Sequence, residues 1–164
     1  MPAFRPIKRP RLSVPLHPAR FFSSFNRHAS YEDTVKNLKV GSYTRVIFQG
    51  FTGRQATANA KESIAWGTKI VGGVTPGKSG EHLGLPVLPT VRAAKEQLKP
   101  DATGIYVAAP YAAAAIEEAI EAEIPLVVAV AEHIPLHDIL RVRQHEWRFP
   151  LAFHLTICAR FTQS

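Results

Sequence analysis

Short apolar runs alternate with longer polar-and-apolar segments between residues 46 and 142, which predicts strands and helices in turn. Five runs rich in β-branched residues are predicted as strands, at 46–48, 69–74, 85–88, 104–107 and 125–130. The last run, PLVVAV, is almost wholly apolar, as is typical of a parallel strand that is covered on both faces.

The segments between these runs have helical periodicity, with apolar residues one turn apart. Helices are predicted at 55–66, 91–98 and 112–122, and a further one starts at 136–142. Strands that alternate with helices predict an α/β fold, an open parallel sheet joined by right-handed crossovers with helices on both faces.

A glycine-bracketed turn follows the first predicted strand, in the segment RVIFQGFTG. Gly50 and Gly53 lead directly into a helix, whose first amides lack internal partners and whose dipole favours an anion. We expect phosphate there. The spacing Gly50-x-x-Gly53-x-x-Ala56 departs from the common dinucleotide fingerprint, so the alternative is a turn that only connects strand and helix.

A second candidate is Lys78, in the loop TPGKSG after the second predicted strand. Ligands of parallel sheets gather at the carboxyl ends of strands, so Lys78 is a candidate phosphate partner. The alternative is a solvated loop charge.

The formal net charge is +7, and the excess of positive charge lies at the two ends of the chain. Residues 31–142 hold eleven basic and twelve acidic side chains, a net of −1, which argues against binding of nucleic acid by bulk charge. No run of 18 apolar residues occurs, so no transmembrane helix is predicted, and one cysteine, Cys158, excludes an internal disulfide or a cysteine-based zinc cage.

The two ends differ in composition from the middle. Residues 1–30 are basic, free of acid and rich in Ser and Phe, which is typical of a mitochondrial presequence and predicts the matrix as the location. Five prolines count against a continuous helix there, and a disordered basic arm is the alternative. Residues 143–164 have neither a clean helical period nor strand alternation, and we interpret them as a divergent tail.

Five segments between residues 49 and 135 together resemble one family. They are QGFTGRQ at 49–55, VGGVTPGKSG at 71–80, HLGLP at 82–86, YVAAP at 106–110 and AEHIP at 131–135. Residues 38–142 thereby resemble the Rossmann-like CoA-binding domain of the α subunit of mitochondrial succinyl-CoA ligase. The set is specific, although each motif alone is weak.

The resemblance places coenzyme A contacts on eight residues: Thr52, Gly53, Arg54, Gln55, Lys78, Val130, Ala131 and Glu132. The glycine turn and Lys78 agree with the phosphate site expected above. Arg54 stands where the family often has a small residue, so its contribution is expected from the backbone. His133 stands where the family usually has glycine, which puts the local turn geometry in question.

By resemblance, the complete enzyme joins succinate and CoA reversibly with ATP or GTP in the citric-acid cycle, and a partner β subunit holds the nucleotide and Mg²⁺. The family's phosphohistidine lies in a second domain, and none of the seven histidines here stands in its motif. We therefore expect no catalytic residue in this chain. We interpret the divergence after Val142 as truncation, and an evolved short form is the alternative.

Two alternatives stay open. One is a stand-alone module that binds CoA or another nucleotide without chemistry, and the other is a product that folds poorly because an apolar surface is exposed. An NAD site would favour an acidic residue after the second strand, whereas Val74-Thr75-Pro76 stands there with Lys78 nearby.

Overall fold

The computed structural model describes residues 35–131, 133–148 and 154–157. After a short 3-10 turn at Lys36–Leu38, the chain forms four helices and seven strands within these residues. The strands are β1 Val46–Gln49, β2 Ile70–Val74, β3 Gly80–His82, β4 Leu85–Leu88, β5 Ala102–Ile105, β6 Leu126–Ala129 and β7 His154–Ile157. The helices are α1 Arg54–Ala65, α2 Val91–Leu98, α3 Ala109–Glu121 and α4 Leu136–Arg148.

All seven strands form one sheet in the order β3-β4-β2-β1-β5-β6-β7. Every neighbouring pair is parallel except β3 with β4, which forms an antiparallel hairpin at one edge. The five predicted strands are the contiguous centre of this sheet, from β4 to β6. The predicted α/β fold with a mostly parallel sheet is confirmed.

Helices cover both faces of the sheet. On one face, α2, α3 and α4 enclose the larger core with Ile47, Ile105 and Val127. On the other face, α1 packs through Ala56 and Ala60 against a smaller cluster that contains Phe48 and Ile70. Small residues on α1 let the helix lie close to the strands, because alanine adds no bulk beyond its Cβ.

The close approach of Phe51 to β2 fixes the chain that leaves β1. The Phe51 ring is fully buried and lies directly over Gly73, where an added Cβ would stand 2.2 Å from a ring carbon. Phe48 meets the same ring edge to face at 6.3 Å between centroids. Because no side chain fits between strand and ring, glycine at position 73 is a packing requirement.

The β3–β4 hairpin was predicted only in part, since residues 75–80 were expected to form a loop throughout. His82 pairs with Leu85, and the two residues between them have positive φ, 56° at Leu83 and 75° at Gly84. Positive φ at both central residues defines the favoured two-residue hairpin turn, which usually carries Asn or Gly at the first position. Because leucine stands at that position, the sequence carries no signal for this turn. The half-buried side chain of Leu83 packs on the smaller cluster.

Other boundaries also moved. The predicted strand at 104–107 is β5 Ala102–Ile105, because its register is set by pairing with β1, Val46 opposite Ala102. The helix predicted from Ala112 begins at Ala109, where extended Ala108 precedes it and proline fits its first turn.

Regular elements occur after Val142, where the sequence shows neither a clean helical period nor strand alternation. Helix α4 continues to Arg148, and β7 pairs in parallel with β6. The part of α4 before this extension is held against α3, since Arg141 Nε donates to Glu117 Oε1 of α3 at 2.7 Å and Val142 is buried.

Replacing Gly73 with alanine is expected to lower the free energy of unfolding by about 1–3 kcal/mol, because the Phe51 ring must move. Urea unfolding followed by circular dichroism measures the loss. The double variant with Phe51→Ala is the control: if the ring is the obstacle, the two losses will not add. A strictly additive result would contradict this packing.

Candidate functional site

The carboxyl ends of the central strands lie along one edge of the sheet. Gln49 of β1 is opposite Val74 of β2 and Ile105 of β5, and Ile105 is opposite Ala129 of β6. The chain runs outward from β1 to β2 and β4 on one side, and from β5 to β6 on the other. The crevice above β1 and β5 is therefore the topological switch point, the position where open α/β sheets bind ligands.

The Gly50–Gly53 turn is anchored by its own backbone at this edge. The amides of Gly50 and Phe51 donate to the Val74 carbonyl at 2.8 and 3.3 Å, and Gly53 N donates back to Gly50 O at 2.8 Å. Gly50 has φ +76°, and an added Cβ would lie 2.7 Å from the Tyr106 carbonyl oxygen. Two independent constraints thus require glycine at position 50.

Helix α1 begins at this turn with an open end. Gly53 is the N-cap residue with φ −72° and ψ 151°, and it has no side chain with which to cap the helix. The amide of Thr57 is bonded to Gly53 O at 2.9 Å, whereas Arg54 and Gln55 precede that first helical bond and are exposed. Their amides and the helix dipole form a site suited to an anion.

The turn after β2 is joined to the Gly50–Gly53 turn. Thr52 N donates to Thr75 Oγ1 at 3.4 Å, and Lys78 N donates to Thr75 O at 3.1 Å, which closes a tight turn. Lys78 is exposed, and its ammonium forms no ion pair with any residue that the structure describes. It is a cation available to a ligand, in a turn that is hydrogen-bonded to the Gly50–Gly53 turn.

Val130 and Ala131 follow β6 at the same edge but lie farther from Lys78. Val130 N donates to Ile105 O at 3.1 Å, and Ala131 is buried. Strands β2 and β6 are separated by β1 and β5, a distance of about 14 Å across three inter-strand steps. A ligand that contacts both ends must therefore be extended. Glu132 lies outside the described residues.

Two polar side-chain pairs that join separate elements were not identified from sequence. Gln49 Nε2 donates to Thr103 Oγ1 at 3.3 Å, and both residues are buried. On the opposite face, His82 Nε2 lies 2.9 Å from Thr57 Oγ1. Each pair joins residues that are distant in sequence, so periodicity carries no signal for either.

His133 has the left-handed backbone that glycine usually provides. Its φ is +61°, and its side chain is exposed. A Cβ in this region of backbone space costs about 1–2 kcal/mol. The sequence-based doubt about this turn therefore identified a real conformational constraint.

Within 35–131, 133–148 and 154–157, no three His, Cys, Asp or Glu side chains are grouped so that they could hold a metal ion. None of the helices in the same ranges is long and apolar enough to cross a membrane.

Comparison with known proteins places this sequence in a family. Residues 42–133 match the family model described as "CoA binding domain", which covers more than half of the chain. The protein therefore belongs to the CoA-binding-domain family.

Two curated relatives are α subunits of CoA ligases. The α subunit of malate–CoA ligase from Methylorubrum extorquens is 42% identical over 115 residues, which are 70% of this chain and 39% of that protein. The α subunit of ADP-forming succinate–CoA ligase from Staphylococcus aureus is 44% identical over 103 residues, 62% of this chain and 34% of that protein. The matched region thus spans little more than a third of either relative.

Solved structures agree on the fold alone. A conserved hypothetical protein from Pyrococcus furiosus superposes with a TM-score of 0.54 at 15% identity, covering 71% of this chain and 96% of that one. A hypothetical protein from Pyrococcus horikoshii gives 0.52 at 17% identity, with 81% and 89% covered.

His133→Gly is expected to raise the free energy of unfolding by about 1 kcal/mol, because glycine adopts positive φ without strain. The change is measured by thermal and urea unfolding. His137→Gly is the matched control, since His137 is exposed within α4, where glycine should instead destabilise by about 0.5–1 kcal/mol. Equal losses in both variants would show that residue 133 is not strained.

Proposed function

We propose that this protein binds coenzyme A at the carboxyl edge of its sheet, as the CoA-binding part of the α subunit of an acid–CoA ligase. The observation that carries the proposal is the open N-terminus of α1, linked through Thr52 and Thr75 to the turn that presents Lys78. It lies at the switch point and inside the segment that matches the family model.

The chemistry of coenzyme A suits this arrangement. Its phosphate groups would accept hydrogen bonds from the open amides of Arg54 and Gln55, and the Lys78 ammonium would supply a point charge. Lys78 follows β2, where Rossmann-like folds meet the ribose of the nucleotide, so its partner is the 3′-phosphate that CoA has and NAD lacks. An extended pantetheine arm can reach Val130 and Ala131, about 14 Å away, and Glu132 is the third contact that the resemblance implies there.

For the complete enzyme, we propose reversible thioester formation between CoA and a dicarboxylate, succinate first, in the citric-acid cycle. The identity to α subunits of succinate– and malate–CoA ligases supports this assignment. Nucleotide and Mg²⁺ would then belong to a partner β subunit, and phosphoryl transfer to a histidine outside this sequence. The contribution of this chain is to hold CoA.

We also propose the mitochondrial matrix as the location. The support is compositional: residues 1–30 contain six basic side chains and no acidic one. Import into isolated mitochondria, with and without these residues, tests the proposal.

Calorimetric titration of the full chain is expected to show saturable binding of CoA and none of NAD. Lys78→Ala should weaken CoA binding about tenfold, because a charge-assisted contact is lost. Lys61→Ala is the control, since Lys61 is an exposed lysine of α1 beyond its first turn. If Lys78 meets the 3′-phosphate, its loss should leave the binding of 3′-dephospho-CoA unchanged. Equal weakening by both lysine variants would contradict a specific contact.

The role of the Arg54 amide can be separated from that of its side chain. Proline is tolerated at the first helical position and removes the N–H, and extended Gly53 is compatible with a following proline. Arg54→Pro should weaken CoA binding about tenfold, whereas Arg54→Ala should change it by less than about threefold. Both variants lack the guanidinium, so the difference reports the amide. Identical affinities would exclude this amide as a phosphate donor.

A further inference from the structure

His82 connects the β3–β4 hairpin to the Gly50–Gly53 turn, which is called the ligand turn below. It is the last residue of β3, and it is half-buried. Its Nε2 lies 2.9 Å from Thr57 Oγ1 in the first turns of α1, and its ring meets the Phe51 ring edge to face with centroids 5.2 Å apart. One side chain therefore touches both the helix that begins at the turn and the aromatic residue inside the turn.

The direction of the His82–Thr57 hydrogen bond follows from counting protons. A threonine hydroxyl has one hydrogen to donate and can accept from other donors. Thr57 Oγ1 lies 2.8 Å from Gly53 O and 3.4 Å from Phe51 O, two carbonyl oxygens of the ligand turn that can only accept. The short contact with Gly53 O takes the hydroxyl proton, as is common for threonine four residues into a helix. His82 must then donate from Nε2.

We propose that His82 is a positioning residue for the ligand turn: its Nε2–H donates to Thr57 Oγ1, which directs the Thr57 hydroxyl onto the Gly53 carbonyl. We call these two hydrogen bonds, from His82 to Thr57 and from Thr57 to Gly53, the relay. Gly53 is the N-cap of α1, so the relay fixes the peptide units that precede the open amides. The proposal rests on the proposed CoA site. His82 itself lies within β3, opposite Leu85, away from the carboxyl edge, and it acts on the ligand only through Thr57 and Phe51.

The role of Phe51 strengthens the relay. Its ring is clamped between Gly73 of β2 and the imidazole, while its amide donates to Val74 O. Removing the imidazole would leave the turn held on the β2 side but free to shift on the α1 side. Loss of the imidazole should therefore reduce the free energy of CoA binding by more than it reduces the free energy of unfolding.

Matched substitutions separate the donor from the ring. Glutamine places its amide nitrogen near the position of Nε2, whereas asparagine places it near Nδ1, and leucine supplies bulk alone. In calorimetric titrations of the full chain with CoA, His82→Leu and His82→Asn should weaken binding about tenfold, and His82→Gln should stay within about threefold of the unmodified protein. Thr57→Val should match His82→Leu, and the double variant should be no weaker than either.

Unfolding in urea, measured on the same variants, distinguishes a positioning role of His82 from a purely structural one. Such a role would lower the free energy of unfolding equally in the Gln, Asn and Leu variants and leave the CoA affinity of the folded protein unchanged, which would overturn the proposal. Equal weakening of CoA binding by Gln and Leu would overturn it as well.

The imidazole tautomer tests the relay without any ligand. Nitrogen-15 NMR of the full chain, at a pH where His82 is neutral, should show the proton on Nε2. A proton on Nδ1 alone would make Nε2 an acceptor and overturn the relay even if CoA binds. If the Nε2–H tautomer is present but the unmodified protein binds no CoA, the proposed function is contradicted. The His82–Thr57 hydrogen bond would then stand, but the role of His82 in CoA binding would be overturned.

Discussion

The contact of the Phe51 ring with Gly73 is the constraint on which the ligand site depends. A turn that leaves a strand can take many paths, and burial of an aromatic ring on the backbone of the neighbouring strand leaves one. The ring brings the amides of Gly50 and Phe51 onto the Val74 carbonyl, and this fixes where α1 starts. The exposed amides at the helix end are thus oriented by an apolar interaction on the opposite side of the turn.

Because the anion site is built mainly from backbone amides, a domain of slightly negative net charge can present it. The local field comes from the open amides and dipole of α1, from Arg54 at its first position and from Lys78. Backbone amides also cannot be lost by substitution of their side chains, except by proline. The residues around them are therefore constrained mainly by the backbone shape they must allow, as glycine at positions 50, 53 and 73 illustrates.

The sequence carried enough information for the centre of the sheet and for the ligand turn. Apolar runs defined the central strands, and the predicted helix at 91–98 is α2, whose N-cap Thr90 accepts a hydrogen bond from Ala93 N. The hairpin and the C-terminal elements depend on contacts that no local pattern records. Leu83 adopts positive φ while its side chain packs on the smaller core cluster, and α4 is bonded to α3 through Arg141 and Glu117 before it continues to Arg148.

The candidate site was predictable where backbone geometry determines it and unpredictable where side chains meet across the fold. The residues Thr52–Gln55 and Lys78 follow strand ends, so a strand assignment was sufficient to place them together. His82 and Thr57 lie 25 positions apart, in a strand and a helix, and only the three-dimensional structure shows that one hydroxyl joins them.

The β3–β4 hairpin also has a consequence for how copies of this chain meet each other. A parallel sheet that ended at β4 would offer its unpaired amides and carbonyls to any extended segment nearby. Strand β3 covers that row, and it is itself only three residues long, with a glycine and an exposed glutamate. The element that steadies the ligand turn thereby also closes this side of the sheet to strand exchange, so lengthening it would trade solubility for extra pairing.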